Sequence, residues 1–313
     1  MSQRKKWLQV LIKSLNSGVQ NIILPEKPRY INAGGKLLDL EIPKVMGILN
    51  ITPDSFYKGS RYITDEEILK ASVRMISEGA DIIDVGGYSS RPGAGDISKE
   101  EEVSRVCKAI KLISKELPEA ILSVDTFRAD VAREAIIGSG AHIINDISGG
   151  EADSKMFSVV EELNVPYIMM HMKGNPGNMQ DNPVYDDIVA DILKWLGERI
   201  FRLKSVGVKD IIIDPGFGFG KTASHNFELL RRLGDFSIAG LPVLIGVSRK
   251  SMIWKTLKIS AEEALNGTTV LNAIALTNGA DILRVHDVKE AKQAIQLVSK
   301  IKNSWNTNPK SIH

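Results

Sequence analysis

Short aliphatic runs alternate with amphipathic stretches along most of the chain, and this alternation constrains the fold more than any other feature of the sequence. Each aliphatic run has the length of a buried strand, and each following stretch has the periodicity of a helix packed on one face. The predicted strands are Val45–Leu49, Ile82–Val85, Ile121–Val124, His142–Asn145, Tyr167–Met170, Ile211–Ile213, Val243–Ile245 and Ile282–Arg284. The predicted helices are Thr64–Ser77, Ser98–Glu116, Arg128–Ile137, Ser154–Leu163, Asp186–Ser205, His225–Leu233, Ala261–Thr277 and Val288–Ile301.

Residues that cap helices support these boundaries. Thr64 and Glu67 have the spacing of a capping box, and Ser98 and Glu101 have the same spacing at the start of the next helix. Glycine commonly follows the last turn of a helix, where the backbone turns left-handed. Glycines of this kind precede four of the predicted strands: Gly79, Gly140, Gly207 and Gly279.

Eight strands alternating with eight helices predict an α/β protein with a closed (β/α)8 TIM barrel. A doubly wound open sheet is the alternative, but it usually carries a glycine-rich phosphate-binding turn after its first strand. Here that position holds Asn50-Ile51-Thr52-Pro53, which favours the barrel. We predict a barrel over residues 43–303, an N-terminal extension over residues 1–42 and a C-terminal tail over residues 304–313. Within the extension, the Gly34-Gly35 pair predicts a hairpin that covers the bottom of the barrel.

The composition is that of a soluble globular protein, with 43% hydrophobic and 25% charged residues. A net charge of +2 gives no overall field that would attract nucleic acid or an anionic membrane, so an anionic substrate must be held by local groups. The single cysteine, Cys107, excludes a disulfide framework and indicates a reducing compartment, for which we expect the cytoplasm. Its helical spacing with Val103, Val106 and Ile110 favours a place in the core over a role as nucleophile.

The N-terminal residues 1–25 carry four cations and no acid, a pattern that resembles a weak signal or transit peptide. The apolar stretch Trp7–Ile12 is short, however, and Gln9 interrupts it. A short surface helix or a fraying end is therefore the favoured interpretation. Nowhere does an apolar run approach the roughly 20 residues of a membrane-spanning helix.

Every predicted strand is followed by polar or ionisable residues. These residues are Asn50, Ser90, Arg91, Asp125, Asn145, Asp146, His171, Asp214, Ser248, Lys250, Arg284 and His286. The carboxyl ends of barrel strands meet at one rim, where barrel enzymes keep their active sites. Because solubility does not require polar residues at all eight positions, the set indicates an active site.

Single members of this set have other interpretations. Asp125 also suits a helix cap, and Asp146 is favoured to bond its own loop backbone. His171 is either a site residue or a buried histidine of the core, and the sequence leaves both open. The segment Gly216–Thr222 resembles a phosphate-binding P-loop, but Pro215 occupies the position that requires the first glycine. Neither a His-Glu-x-x-His motif nor paired cysteines are present, which argues against a dedicated zinc site.

One group of these residues suits a diphosphate. Arginine donates two hydrogen bonds to phosphate oxygens, so Arg91 and Arg284, with His286 and Ser90 beside them, fit such an anion. Magnesium normally accompanies a diphosphate and keeps most of its water ligands. Asn50 offers a neutral oxygen ligand to that ion.

A second group suits a flat heterocycle. A carboxylate accepts two hydrogen bonds from an N–H/NH2 edge, while a lysine donates to a ring carbonyl or ring nitrogen. Asp125, Asn145, Asp214 and Lys250 therefore match the edge of a 2-amino-4-oxo ring, as found in pterins and in guanine.

From Val45 to Ile301 the sequence resembles the dihydropteroate synthase family. The matching motifs are Asn50-x-Thr-Pro-Asp-Ser-Phe56, Ser90-Arg91-Pro92-Gly93, Val124-Asp125-Thr126, Asn145-Asp146-Ile147, Asp214-Pro-Gly-Phe-Gly-Phe219, Ser248-Arg249-Lys250 and Arg284-Val285-His286-Asp287. The resemblance implies a cytoplasmic, homodimeric, Mg²⁺-dependent transferase of folate biosynthesis that sulfonamides inhibit. It would join 4-aminobenzoate to (7,8-dihydropterin-6-yl)methyl diphosphate, giving 7,8-dihydropteroate and diphosphate.

The resemblance also implies roles for individual residues. Asp125, Lys250 and Arg284 would be catalytic, and Asn50 would be the metal ligand. The substrate-binding residues would be Asn50, Phe56, Ser90, Arg91, Pro92, Asp125, Asn145, Ile147, Met170, Asp214, Phe219, Ser248, Lys250, Arg284 and His286. The reaction would proceed by dissociative C–O cleavage to a pterin-methyl cation, which the arylamine then attacks.

The chain departs from the family pattern in two loops. Tyr57-Lys58-Gly59-Ser60 replaces the commoner Ser-Asp-Gly-Gly, and Tyr88-Ser89-Ser90 replaces Glu-Ser-Thr. The loss of the acid at Tyr88 bears on how the second loop is anchored more than on the chemistry.

Two other functions fit parts of the sequence. A pterin-dependent methyltransferase shares the barrel but has no need of Ser90-Arg91-Pro92 or of Arg284 and His286. A non-catalytic pterin-binding barrel would explain the altered loops, although the deep polar set is intact.

Overall fold

The computed structural model describes residues 26–52, 64–89, 97–174 and 183–306. Two short strands, β1 (Tyr30–Ala33) and β2 (Lys36–Asp39), precede the barrel. The barrel strands are β3 (Lys44–Asn50), β4 (Ile82–Gly86), β5 (Ile121–Asp125), β6 (Ile143–Asp146), β7 (Tyr167–Met170), β8 (Ile211–Asp214), β9 (Leu244–Ile245) and β10 (Ile282–Val285). The α-helices in the described ranges are α1 (Asp65–Ser77), α2 (Lys99–Glu116), α3 (Ala129–Ser139), α4 (Met156–Leu163), α5 (Ile188–Ser205), α6 (Ala223–Arg231), α7 (Ser251–Leu257), α8 (Leu265–Thr277) and α9 (Val288–Asn306).

The eight strands β3 to β10 form one parallel sheet in the order β8-β7-β6-β5-β4-β3-β10-β9. A parallel bridge between Ile213 and Val243 joins the two edge strands. The backbone amide of Ile213 also donates to the carbonyl of Pro242 at 2.9 Å. The sheet therefore closes on itself, and the predicted (β/α)8 barrel is confirmed.

Helix α1 shows how local sequence sets an element boundary. The Thr64 hydroxyl accepts from the amide of Glu67 at 3.2 Å, and the Glu67 carboxylate accepts from the amide of Thr64 at 2.9 Å. This reciprocal capping box satisfies amides that the first turn leaves without helical partners. The capping box predicted from the sequence is confirmed.

The structure differs from the prediction most around β9. Helix α7 was not predicted, because its seven residues are too few to show a helical period. The next predicted helix starts at Leu265 rather than Ala261, and the helix predicted from His225 starts at Ala223. The hydroxyl of Thr222 caps that helix by accepting from the amide of His225 at 3.1 Å.

The predicted hairpin closes the amino-terminal end of the barrel. Its turn lies at Gly34, where φ is +61° and where a Cβ would lie 2.9 Å from the His142 ring, so only glycine fits without strain. The inner face of the hairpin packs on the first layer of barrel side chains. The packed residues are Ile31, Ala33, Leu38, Leu40, Met46, Ile82, Ile143, Ile168, Ile212, Leu244 and Ile282. With this end filled, the opposite rim is the open face of the barrel.

Other expectations concern the ends of the chain. The N-terminal helix predicted for residues 1–25 lies outside the described residues. Helix α9 continues to Asn306, past the predicted boundary at residue 303. Among the helices of the described ranges, none combines the length and the apolarity needed to cross a membrane.

Candidate active site

Side chains at the carboxyl ends of the strands converge on the open rim. Asn50 ends β3, Asp125 ends β5 and Asp214 ends β8. Asn145 occupies the third position of β6, and Arg284 the third position of β10. The sequence-predicted set therefore meets at one end of one barrel.

Arg284 lies at the centre of this set. Its Nε donates to Oδ2 of Asp84 at 2.6 Å, and its Nη2 donates to Oδ2 of Asp125 at 2.5 Å. The same Asp84 oxygen accepts from Nδ2 of Asn145 at 2.9 Å. The Asp84 carboxylate thus links two residues named from the sequence, Arg284 and Asn145, and Arg284 links them to a third, Asp125.

Asp84 was missed by the sequence analysis, although the sequence marks it. It is the one charged residue within the apolar strand β4, and its side chain is fully buried. A buried carboxylate is strongly disfavoured unless it is paired, so its position inside the strand already indicated a partner. Its second oxygen, Oδ1, and the hydroxyl of Ser123 on the neighbouring strand have no hydrogen-bond partner within the described part of the chain.

Burial dominates the electrostatics of these groups. It raises the pKa of Asp125, and Arg284 opposes that rise. It also raises the pKa of Asp214, against the charge of Lys250. Burial lowers the pKa of Arg284, but Asp84 and Asp125 outweigh it, so the net pKa is raised and the guanidinium stays charged.

Lys250 and Asp214 face each other across the junction of β8 and β9. Oδ1 of Asp214 accepts from the amide of Gly216 at 2.7 Å, which holds the carboxylate in place. The Lys250 ammonium donates to the carbonyl of Phe217 and lies 4.7 Å from the ring centroid of Phe219. Burial lowers the pKa of Lys250 to about 8.

Apolar side chains line the space beside these polar groups. Ile147, Met170 and Met172 form a small buried cluster, and Phe127 and Phe219 pack against it. Aromatic rings and thioether sulfur both make favourable contacts with a flat ring. The polar edge and the apolar wall together suit a planar heterocycle.

His171 belongs to the core rather than to the site. Its ring is buried, and Nδ1 lies 3.0 Å from Nζ of Lys221. Lys221 also donates to the carbonyls of His171 at 3.2 Å and Phe219 at 2.9 Å. Burial lowers the pKa of His171 to about 2 and lowers that of Lys221 well below its usual range. The pair cross-links the end of β7 to the loop after β8.

Asp146 is also structural, as favoured from the sequence. One oxygen accepts from the amide and the hydroxyl of Ser148, both at 2.7 Å. The other accepts from the amide of Gly150 at 2.8 Å and the hydroxyl of Tyr167 at 2.7 Å. With both oxygens engaged, the carboxylate fixes its own loop.

The loops after β9 and β10 are tied together. The Ser248 hydroxyl accepts from the amide of His286 at 3.2 Å. Arg249 has a φ of +53° and pairs bidentately with Asp287, at 2.9 and 2.8 Å. This left-handed residue sets the direction from which Lys250 enters the site.

Asn50 lies beside Asp125 at the rim. A side chain at Gly86 would enter a space bordered by Oδ1 of Asn50 and Oδ2 of Asp125, each 3.5 Å away. Two side-chain oxygens therefore border one gap at the carboxyl end of β4. The remaining predicted site residues lie outside the described part of the chain: Phe56, Ser90, Arg91 and Pro92.

Residues 46–286 match the family described as pterin binding enzyme. The chain is 45% identical over 268 residues to the dihydropteroate synthase of Escherichia coli K12, covering 85% of this chain and 94% of that protein. The Yersinia pestis dihydropteroate synthase in a sulfonamide drug complex superposes with a TM-score of 0.83 at 39% identity, covering 88% of this chain and 99% of that one. The Xanthomonas albilineans dihydropteroate synthase with 4-aminobenzoic acid gives a TM-score of 0.81 at 38% identity, covering 88% and 98%.

The matched region spans all eight barrel strands from Met46 on β3 to His286, just after β10. It contains every site residue described above. The resemblance read from the motifs is confirmed, and the chain belongs to the pterin binding enzyme family.

Proposed function

We propose that the protein is a dihydropteroate synthase, which joins 4-aminobenzoate to (7,8-dihydropterin-6-yl)methyl diphosphate and releases diphosphate. The observation that carries the proposal is the set of Asp125, Asn145, Asp214 and Lys250 near Arg284, of which Asn145 and Asp214 are buried and Asp125 and Lys250 are half-buried. The high identity to enzymes of that name over most of the chain supports the same reaction. In this proposal the protein is a transferase of folate biosynthesis.

The deep groups hold the pterin. Carboxylates at Asp125 and Asp214 accept from its N–H/NH2 edge, and Lys250 donates to its carbonyl or ring nitrogen. Phe219 and Met170 lie along the faces of the ring. Because two buried carboxylates surround the heterocycle, the site favours positive charge on it.

The diphosphate lies toward the rim. Arg284 stays charged beside its carboxylates, and His286 follows it in the chain at the same end of the barrel. From the family resemblance, Arg91 and Ser90 are assigned to the same end. Positive groups placed where negative charge develops on the leaving group are the main source of rate in such reactions.

The side-chain oxygen of Asn50 fits a magnesium ion that arrives with the diphosphate. Magnesium sites of this kind use one or two protein oxygens, with waters and phosphate oxygens completing the shell. Among the described residues, no group of three or more His, Cys, Asp or Glu is placed to hold a metal, so the donor set suits a shared ion rather than a protein cage. When bound, the ion would neutralise charge on the diphosphate.

The proposed reaction begins with cleavage of the C–O bond to diphosphate, and the pterin-methyl cation formed is then attacked by the arylamine. Asp125 and Asp214 stabilise the cation, and Arg284 with His286 stabilises the leaving group. No general base is needed before the attack, because the neutral arylamine attacks a cation directly; the arylammonium formed then loses its proton to water. The aminobenzoate side is assigned to Phe56, Pro92, Arg91 and Ser248.

One assay tests the function directly. Purified protein is mixed with 4-aminobenzoate, the pterin diphosphate and Mg²⁺, and the release of diphosphate is followed with and without a sulfonamide. We expect diphosphate release that requires both substrates, falls when EDTA removes the metal, and is inhibited competitively with respect to 4-aminobenzoate. Pterin binding by calorimetry without dihydropteroate formation would favour the non-catalytic barrel instead.

A second assay on the same protein distinguishes the synthase from the methyltransferase alternative. It predicts methyl transfer from a methylated folate and no use of a diphosphate. The Arg284 cluster favours the synthase, since a methyl donor gives that cation no leaving-group anion to bind.

The resemblance also supports a cytoplasmic homodimer. Light scattering of the purified protein at several concentrations tests the dimer. A monomer mass throughout would contradict it.

A further inference from the structure

Glu102 on α2 is a fully buried carboxylate that the proposed chemistry does not use. Its Oε1 accepts from the Thr126 hydroxyl at 2.6 Å, and its Oε2 accepts from Nη1 of Arg128 at 2.8 Å. Both donors belong to the turn that follows β5. Burying a carboxylate is strongly unfavourable unless it is paired. Glu102 pairs with two residues of one turn, which indicates that these hydrogen bonds fix the conformation of the turn.

Arg128 makes further contacts from the same position. Its Nη2 donates to the carbonyl of Ile97 at 2.9 Å. Its guanidinium lies 5.5 Å from the ring centroid of Tyr88 and 5.4 Å from that of Phe127. The two rings meet edge to face with their centroids 5.0 Å apart. Tyr88, where this chain departs from the family pattern, thus contacts Arg128 through its aromatic face.

The turn connects this cluster to the active site. Asp125 immediately precedes Thr126 and pairs with Arg284 at 2.5 Å. The amide of Thr126 donates to the carbonyl of Asn145 at 3.0 Å, so the turn also continues the sheet beside another site residue. Phe127 packs against the apolar wall of the site. Every residue from 125 to 128 therefore contacts either the site or the cluster behind it.

We propose that Glu102 and Arg128, with Tyr88 stacked on Arg128, position the turn after β5 so that the Asp125 carboxylate meets both Arg284 and the pterin. The inference rests on the proposed function for its substrate. It assigns no catalytic role to Glu102, Arg128 or Tyr88, which act only through Asp125.

The first test is kinetic. Arg128→Met keeps an unbranched apolar stem but removes the guanidinium with its hydrogen bonds, and we expect kcat to fall about 100-fold, as small misplacements of a reacting geometry do. The KM for 4-aminobenzoate should change less than threefold, roughly the effect of weak contacts. Arg128→Lys restores a cation beside Glu102 and should recover about tenfold of the lost kcat.

Arg133→Met is the matched control. Arg133 lies on the same helix as the residues after the turn and pairs with Glu162, but it contacts neither the turn nor the site. We expect its kcat to equal that of the wild type. An equal fall in kcat in Arg128→Met and Arg133→Met would overturn the proposal. Loss of either arginine ion pair, at the start of α3 or within it, would then be enough to lower kcat.

Three further variants separate geometry from charge and from folding. Glu102→Gln combined with Arg128→Met leaves no uncompensated buried charge, so this double variant should fold while kcat stays low. Full recovery of kcat would overturn the proposal, because the pair would then matter only for charge balance. At Tyr88, Tyr88→Phe should retain more kcat than Tyr88→Leu by about two- to fivefold, the effect of one partly exposed cation–π contact. Equal kcat values for Tyr88→Phe and Tyr88→Leu would show that the Tyr88 ring takes no part in positioning the turn.

Binding supplies a readout that does not depend on turnover. Calorimetry with 6-hydroxymethyl-7,8-dihydropterin should show Asp125→Asn weakening affinity about tenfold, the loss of a charged hydrogen bond. Arg128→Met should weaken it no further in the Asp125→Asn background. Additive losses would overturn the positioning role. The two proposals can also fail separately. If pterin affinities show this coupling between Arg128 and Asp125 but the wild-type protein forms no dihydropteroate, the proposed function is overturned and the positioning role stands.

Discussion

Nε of Arg284 lies 2.6 Å from Oδ2 of Asp84, although the two residues are 200 positions apart in the chain. Their strands, β10 and β4, lie on either side of β3 in the sheet. The contact therefore crosses β3 on the inner face of the barrel, and it orients the guanidinium that also holds Asp125. A pocket built on this pair has its central cation fixed before any substrate arrives.

Replacing Asp84 with Ala should destabilise the fold. Nε of Arg284 and Nδ2 of Asn145 both lose their acceptor in Asp84→Ala, although Nη2 of Arg284 keeps Asp125, so the cost should be about 1–3 kcal/mol in the free energy of unfolding. Arg284→Met in the same chain should recover part of that loss, because the guanidinium is gone and the pKa of Asp125, which burial already raises, rises further without Arg284 and leaves that carboxyl uncharged. Urea denaturation measures both. As a control, Asp130→Ala removes an exposed pair with Lys99 and should change stability little. A double variant less stable than the Asp84→Ala chain would contradict the interpretation.

Replacing Asp125 with Asn should lower kcat more than it weakens pterin binding. The carboxylate stabilises positive charge that is present only in the transition state, so kcat should fall about 100-fold or more. Steady-state kinetics and calorimetry separate the two effects. Glu66→Asn on the exposed first turn of α1 serves as a control. Retained turnover in Asp125→Asn would rule out the proposed role.

Pterin affinity should fall as pH rises above about 8. The pKa of Lys250 in the free protein is lowered to about 8 by burial, so its ammonium deprotonates above that pH. A pterin that accepts from the ammonium favours the protonated form, and its affinity therefore declines by up to about tenfold per pH unit on the alkaline side. Calorimetry across the pH range measures this decline.

Lys250→Arg provides the control for that titration. Arginine remains charged throughout, so the alkaline decline should disappear even if overall affinity is lower. A decline that persists unchanged in Lys250→Arg would arise from the ligand or from another group, and Lys250 would be excluded as its source.

Gly216 should tolerate no side chain. Its φ is +74°, and a Cβ would lie 1.8 Å from the carbonyl oxygen of His171. Gly216→Ala should cost about 4 kcal/mol or more, at the upper end for single substitutions. Gly207 has a comparable φ of +92° but open space around the added atom, so Gly207→Ala should cost only about 1 kcal/mol. Thermal denaturation compares them, and equal losses would mean that backbone strain alone decides both.

The barrel and most of its site were predictable from local patterns. Strand lengths, capping residues and the polar residue after each strand are all encoded within a few neighbouring positions, and Asp125, Asn145, Asp214, Lys250 and Arg284 converge as expected. The identity of the partners was not predictable in this way. That Arg284 meets Asp84, rather than solvent, depends on the order of strands around the barrel.

Other features were missed for related reasons. Helix α7 is too short to show a period, and Lys221 sits in a glycine-rich loop where a surface lysine is the usual expectation. For His171, the partner of Lys221, the sequence left two interpretations open, because a histidine after a strand suits both the core and an active site. Glu102 occupies an ordinary position in an acidic first turn, and only packing against the β5 turn shows that it is buried.

The barrel closes between β8 and β9, and β9 has only two residues. Asp214 ends one of these strands and Lys250 follows the other, so the two lie on opposite edges of the seam. A pterin bound to both residues would therefore link the two strands across this seam, where the sheet has its shortest strand. The amide of Ile213 donates across this seam to the carbonyl of Pro242, so its hydrogen exchange should slow when the ligand binds. Occupancy of the site then becomes a determinant of how long the barrel stays closed.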